Sequence, residues 1–354
     1  MKKKYFDIIS SLKQSTSPMT LNDRVMIVDG TNQFIRAFAA APITSEHGYH
    51  VGGTTGFLMS LGYAIRNINP TRIIIIFDGK GGSQRRRKLY PEYKAGRKTH
   101  TNIINTEFYS TKQEETESMV EQLIRLTDYL DVLPVQTVCI DNIEADDTIA
   151  YLTRYFQEKY NSHITIMSTD GDFLQLVNEN VVVWSPTKKK FYSIESIADE
   201  FEGLPSKNHI FYKILIGDGS DNIPGVKGLG LKTIKKRLPI LFENNTEICL
   251  DDIFNYVTAK KDENKIYGVL ADNKQLLELN YNLMQLSNVD LPATTKEKIL
   301  NTIDLPINRL VKHKFISMLV HDAINSAFKT PDVWLQTHFS KVDGFAIESY
   351  PTRP

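Results

Sequence analysis

Cysteine is scarce in this sequence: Cys139 and Cys249 are the whole complement. Two thiols cannot build a disulfide framework, and so few fit a reducing compartment. Long apolar runs are missing too. The longest, Ile73-Ile74-Ile75-Ile76-Phe77, falls far short of the roughly 20 residues that a membrane span needs. The N-terminus, Met1-Lys2-Lys3-Lys4, starts as a signal peptide does, but Asp7 and Lys13 interrupt the next stretch and no apolar h-region appears. The expectation is a soluble, cytoplasmic protein that makes no use of a membrane and carries an N-terminal extension over residues 1–23. Net charge is absent as well, with 42 basic against 42 acidic residues. The total therefore points to no class of partner; the clustering of each sign does.

What is present suits a globular chain. The 354 residues are 41% apolar, enough for a buried core and for about two domains. Val25 to Val28 is a short apolar run ending in Asp29-Gly30, and Arg72 to Phe77 is another, ending in Asp78-Gly79. Val135–Ile140, Ile164–Met167 and Val181–Trp184 complete a set of five expected strands. Between them the spacing predicts helices over Phe57–Ile68 (capped by Thr54 or Thr55), around Val120 to Leu130, and over Glu144–Tyr160. This alternation implies an α/β fold, with a mostly parallel central sheet flanked by helices. From about Ser206 the pattern turns mainly helical. A boundary is expected near residue 205, marked by Gly203 and Pro205, between an α/β core over 24–205 and a helical region over 206–354.

The acids are distributed in a telling way. Asp29, Asp78, Asp170 and Asp172 lie just past the carboxyl ends of expected strands, the edge where open α/β sheets bind ligands. Glu144, Asp146 and Asp147 open the helix after the third strand, and Asp218 and Asp221 bracket a Gly-Ser turn after a helix expected at 208–217. Any one of these is readily a turn former or helix cap. Taken together they would repel one another by about 1–4 kcal/mol per pair at 4 Å, so a shared rim calls for a counter-charge. Oxygen ligands without His or Cys suit Mg²⁺, with Mn²⁺ as a substitute, rather than zinc. Glu144 and Asp147 are one helical turn apart, as Asp218 and Asp221 would be if their turn were helical. Two such clusters could hold two ions about 4 Å apart, the arrangement that hydrolyses phosphodiesters.

Basic residues cluster beside these acids. Between Lys80 and Lys98 stand Arg85, Arg86, Arg87, Lys88, Lys94 and Arg97, opposed only by Glu92 and interleaved with Tyr90 and Tyr93. Such a stretch is either a solvated charged face or a phosphate grip whose tyrosines stack on bases. A second patch runs Pro224-Gly-Val-Lys-Gly-Leu-Gly230, then Leu231-Lys-Thr-Ile-Lys-Lys-Arg237. Gly225, Gly228 and Gly230 allow a tight hairpin whose backbone N–H groups approach a phosphate, with Lys227, Lys232, Lys235 and Lys236 around it. The pattern reads as a helix–hairpin–helix that holds duplex backbone without reading sequence.

In this order the motifs resemble those of the 5′-nuclease family: phage 5′→3′ exonucleases, the 5′-nuclease domain of bacterial DNA polymerase I, and flap endonucleases. The matching blocks are Val28-Asp-Gly-Thr-Asn-Gln-Phe-Ile-Arg-Ala-Phe38, Ile76-Phe-Asp78, Arg86 with Tyr93-Lys-Ala-Gly-Arg97, Glu144-Ala-Asp-Asp147, Thr169-Asp-Gly-Asp-Phe-Leu-Gln-Leu176, and Gly217 through Gly230. Trp184-Ser-Pro and the basic run after it are similar to the ribonuclease H branch of T-even phages, although the intact hairpin glycines depart from that branch. The resemblance implies a PIN-like core, a helical arch over about 80–115 that passes a 5′ single strand, and the hairpin, with K⁺ as a further ion there. It implies Asp29, Asp78, Asp146 and Asp170 around a first metal, Asp172, Asp218 and Asp221 around a second, Glu144 outside the coordination sphere, and Asp147 beside them. Arg86 and Lys94 would contact the scissile phosphate with Arg97 alongside, and Arg36 and Tyr93 would bind nucleic acid.

The expected function is a Mg²⁺-dependent 5′→3′ exonuclease and flap endonuclease acting on nicked or flapped DNA and RNA–DNA hybrids. It would remove RNA primers and flaps during replication in a phage-infected bacterium, as a monomer, with a single-strand-binding protein or sliding clamp as partner. Two alternatives remain open. One is a PIN-type ribonuclease, which shares the acid rim but lacks the hairpin glycines. The other is a DNA-binding protein that keeps the scaffold without catalysis.

Overall fold

Apolar runs that stop at an aspartate become strands that stop at the edge of one sheet. The computed structural model describes residues 18–95, 102–243 and 248–350. The sheet-forming part runs β1 (Arg24–Asp29), α1 (Gly30–Ala40), α2 (Gly52–Ile68), β2 (Arg72–Asp78), α3 (Gln84–Leu89), α4 (Lys112–Asp131), β3 (Gln136–Ile140), α5 (Ala145–Tyr160), β4 (His163–Met167), β5 (Val181–Ser185), β6 (Lys190–Tyr192) and α6 (Ile194–Glu200). Helices α7 (His209–Ile216), α8 (Leu231–Arg237), α9 (Leu250–Ala259), α10 (Lys265–Asp272), α11 (Lys274–Met284), α12 (Ala293–Ile303), α13 (Lys312–His321) and α14 (Pro331–Ala346) come after it. Among the described residues no helix is long and apolar enough to cross a membrane.

The sheet order is β3-β2-β1-β4-β5-β6, parallel throughout except for β6, which returns antiparallel to β5. The chain first builds outward from β1 to β3, then restarts at β4 on the other side of β1. The switch point therefore lies between the carboxyl ends of β1 and β4, where such sheets open a ligand crevice. Both faces are covered, as a parallel sheet requires. Side chains alternate across the strands. Met26, Val28, Ile73 and Ile75 pack with Phe34, Phe57, Leu61 and Leu126 on one face, while Val25, Ile27, Ile74 and Ile76 pack with Ile149, Leu152 and Phe156 on the other.

Two expectations about the elements need correction. Helix α2 begins at Gly52, not near Phe57, and Thr54 and Thr55 lie inside it, both buried. Its cap comes from a distant element: Gln122 of α4 accepts from the Gly53 backbone N–H at 2.8 Å, and the Thr54 hydroxyl donates to the Gln122 carbonyl at 2.8 Å. The second correction concerns the boundary near 205. Helices α7 to α11 do form a core of their own, with Ile214, Ile234, Phe254 and Leu277. Ile299 and Ile303 of α12, however, belong to one sheet core, and Phe315, Leu319, Leu335 and Phe339 of α13 and α14 belong to the other. The end of the chain thus completes the core that its beginning starts.

Candidate active site

Four chain segments bring carboxylates to the switch point. Asp29 ends β1 and caps α1, accepting from the Asn32 backbone N–H at 3.2 Å. Its other oxygen accepts from the Ser168 hydroxyl, just past β4, at 2.8 Å. Asp78 ends β2 and accepts from the Ala145 backbone N–H at 2.8 Å, which ties it to the start of α5. Asp170 accepts from the Asp172 backbone N–H at 2.8 Å and donates its own to Ser168 Oγ at 3.1 Å. Asp146 lies in the first turn of α5, at the positive end of the helix. These four and Asp221 line one cavity of about 310 Å³ with Thr31, Asn32, Ile35, Arg36 and Lys94. Five of the nine expected acids are therefore gathered.

The electrostatics of this cavity are those of anions short of counter-charge. Burial, with Asp170 and Asp78 nearby, pushes the Asp29 carboxyl up to about 7 against its hydrogen bonds from Ser168 and Asn32. Burial first, and then Asp170 and Asp29, hold Asp146 well above the ordinary carboxylate range. Lys94 reaches Asp221 at 3.8 Å while bonding Glu144. Arg36 stands at the exposed mouth, held by Asn32 Oδ1 at 3.2 Å. Among the described residues no group of three acid, histidine or cysteine side chains is close enough to cage an ion without moving. The donor set itself, all oxygen and partly desolvated, fits a hard divalent cation. Asp29, Asp78, Asp146 and Asp170, with Asp221, are the acids of that set that share the cavity at the switch point.

The other four acids sit elsewhere. Glu144 and Asp147 lie behind the cavity in a buried ion network. Arg86, only 3% exposed, bonds Glu144, reaches both Asp147 oxygens at 3.1 and 2.8 Å, and donates to the Leu283 carbonyl at 2.8 Å. Arg85 adds two bonds to Asp147 at 3.2 Å. This corrects two expectations. The Asp147 carboxylate is fully engaged by guanidinium groups, which removes it from the metal set. The Arg86 guanidinium is enclosed by anions and cannot face a scissile phosphate. Burial would raise Glu144, but Arg86 and then Lys94 hold it below the usual carboxylate range. Tyr93 is likewise unavailable to stack on a base, being 2% exposed in the third core with its hydroxyl 3.3 Å from Glu144. Arg97 lies outside the described residues.

Asp172 and Asp218 are held together by Lys213, whose ammonium sits 2.9 and 2.8 Å from them. The expected grouping of Asp172, Asp218 and Asp221 is therefore divided, because Asp221 turns to the main cavity. The turn between Asp218 and Asp221 is not helical either: Gly217–Asp218 pairs antiparallel with Ile223–Pro224, and Asp218 Oδ1 caps the turn by accepting from Ser220 N at 2.8 Å. Beyond it the glycines have distinct reasons. A side chain at Gly225 would meet the Ile216 carbonyl at 2.1 Å, Gly228 has φ +83°, and Gly230 has open space around it. Gly225 thus serves internal packing, whereas Lys227, Gly228, Gly230, Lys232, Lys235 and Lys236 form an exposed rim. Lys235 donates to the Glu202 carbonyl at 2.6 Å. Sequence reasoning missed Lys213, Ser168 and Asn32. Lys213 left one trace, its place one turn before the end of the helix that delivers Asp218.

Comparison with known proteins decides the family. A family model described as the 5′–3′ exonuclease N-terminal resolvase-like domain matches residues 24–202. A 5′–3′ exonuclease of Buchnera aphidicola is 30% identical over 284 residues, covering 78% of this chain and 91% of its own. The chain belongs to the 5′–3′ exonuclease family. DNA polymerase I of Bacillus subtilis is 31% identical over 254 residues, 70% of this chain but 26% of the polymerase. The fold agrees with a bacteriophage T5 flap endonuclease solved with DNA and metal ions. That match has a TM-score of 0.56 and 20% identity, over 89% of this chain and 99% of the other. Within this exonuclease family member, the cavity at the switch point is the place where its acids, Lys94 and Arg36 meet.

Proposed function

We propose that the chain is a divalent-metal-dependent 5′→3′ exonuclease and flap endonuclease that cleaves nicked or flapped DNA and RNA–DNA hybrids, and so removes RNA primers and flaps in replication. The observation that carries this reading is the convergence of Asp29, Asp78, Asp146, Asp170 and Asp221, from segments nearly 200 positions apart, on one cavity edged by Lys94 and Arg36. Mg²⁺ or Mn²⁺ held by these carboxylates would supply hydroxide at neutral pH and Lewis-acid support for a departing 3′-oxygen. The chain's own cations do the positioning. Lys94, anchored on Glu144, and Arg36, anchored on Asn32, would draw a phosphodiester to the acid rim. Lys227, Lys232 and Lys236, on the exposed rim around Gly228, would grip duplex backbone as a helix–hairpin–helix does, with K⁺ as an ion of that turn. A monomer working beside a single-strand-binding protein or clamp completes the reading.

The test uses an end-labelled 5′-flap duplex, a nicked duplex and an RNA–DNA hybrid, each with Mg²⁺ or with chelator. Cleavage is expected only with Mg²⁺. Asp146→Asn and Asp170→Asn should each lower it by at least about a hundredfold while flap binding, read by fluorescence anisotropy, persists. Undiminished cleavage by both variants would sink the assignment.

A further inference from the structure

The second group of acids already holds a cation, and it is a side chain. Lys213 lies on α7, and its Nζ sits 2.8 Å from Asp218, just past the end of the same helix, and 2.9 Å from Asp172, which comes from the loop after β4. The ammonium is mostly enclosed, at 14% side-chain exposure, and its two partners are 19% and 18% exposed. Both anchors are fixed. Asp218 is locked by Ser220 Oγ at 2.6 Å as well as by the turn N–H groups, and the Asp172 backbone is bonded to Asp170 and Gln175. An ammonium has three donors and is compact, so it fills a two-carboxylate slot much as a small metal ion would.

We propose that Lys213 is the resident cation of the Asp172–Asp218 pair, and that a divalent ion can bind there only by displacing it. The inference rests on the proposed function, in which the acid rim holds divalent ions, and goes beyond it by making the two positions unequal. The main cavity has five carboxylates against Lys94, at 3.8 Å from Asp221, and Arg36 at its mouth. The pair beside it already has one of its two charges offset by the ammonium before any metal arrives. A dication entering next to the ammonium meets like-charge repulsion in a partly desolvated setting. One that replaces it must leave Lys213 a new anionic partner, which a bound phosphodiester would provide. The free enzyme should therefore take up one ion readily and a second only weakly.

Mn²⁺ titrated into the full-length, metal-stripped protein tests this, with free Mn²⁺ read by electron paramagnetic resonance and binding heat by calorimetry. Wild type and Lys213→Arg should each show one strong site and a weak second one. Lys213→Met should bind the second ion at least about tenfold more tightly. Lys213→Gln, which keeps hydrogen-bonding capacity without charge, guards against a folding defect in the methionine variant, and circular dichroism checks both. If the neutral variants bind a second ion within threefold of wild type while the first site is intact, the displacement idea is overturned alone. If no protein in the series binds Mn²⁺, the ion reading of the whole rim falls with it. Loss of the strong site in Asp29→Asn, with the second-site gain retained in Lys213→Gln, would support both.

Discussion

Arg86 has exchanged solvent for anions. Its guanidinium bonds Glu144 and Asp147 and is 3% exposed, and burial is outweighed by Asp147 and then Glu144, so it stays charged. Removing one partner of a buried ion pair leaves the other uncompensated, at a cost of about 3–5 kcal/mol. Arg86→Ala should therefore lower the thermal midpoint clearly. Arg86→Lys should recover only part of that, because a point charge cannot reach both carboxylates and the Leu283 carbonyl together. A cleavage defect in Arg86→Ala without any loss of stability would contradict this structural role. Asp29 makes the opposite case, a buried acid whose ionisation opposes folding. Its carboxyl titrates near 7 in the folded, metal-free chain, against about 3.9 when unfolded. Below pH 4 it is protonated in both states and has no effect. Between pH 4 and 7 the unfolded chain gives up the proton while the folded chain keeps it, so stability falls as pH rises and levels off above 7. The ceiling is on the order of 4 kcal/mol. The thermal midpoint of Asp29→Asn minus that of wild type, in chelator, should be near zero at pH 4 and grow to a plateau above pH 7. A flat difference would show that Asp29 carries no buried-charge penalty.

At the scale of elements, the ends of the first three strands were legible in the sequence because each apolar run stops at an acid, at Val28-Asp29, Phe77-Asp78 and Ile140-Asp141. The start of α2 was not, because its cap is Gln122, some 70 positions away, and no local signal reports it. The glycines after Asp221 were read as one phosphate-facing set, and the structure separates them. Gly225 lies against the backbone that ends α7, where an added methyl would stand 2.1 Å from the Ile216 carbonyl. Gly230 precedes α8 with φ −140° and nothing within 4 Å. Gly225→Ala is accordingly expected to cost about 1–3 kcal/mol through overpacking, and Gly230→Ala less than about 0.5 kcal/mol, both read from denaturant midpoints. Equal losses at the two positions would mean that the turn is held by something other than this close approach.

Over the whole molecule, the acids that meet at the switch point could be read ahead because sheet edges and motif order place them. The cations that divide them could not. Lys213 and Asp172 are 41 positions apart in sequence and touch only because α7 crosses the loop after β4, and Arg86 looks from its neighbours like one more solvated charge. The same long-range closure governs where the chain can be cut. Composition shifts near 205, which invites a boundary, yet α12 packs on β3 and α14 packs on α2 and β2. Ile299, Ile303, Phe315, Leu319 and Phe339 are all at or below 1% exposed. Each large apolar side chain fully buried is worth about 1.5–3 kcal/mol, and a domain's net stability is only about 5–15 kcal/mol. Removing residues 206–354 strips these five from two cores at once, a loss the remaining sheet cannot absorb. A fragment of residues 1–205 should therefore lack a cooperative thermal transition and bind a hydrophobic dye, while retaining the acids Asp29, Asp78, Asp146 and Asp170. A sharp unfolding transition in that fragment would show that the catalytic sheet closes without its C-terminal helices.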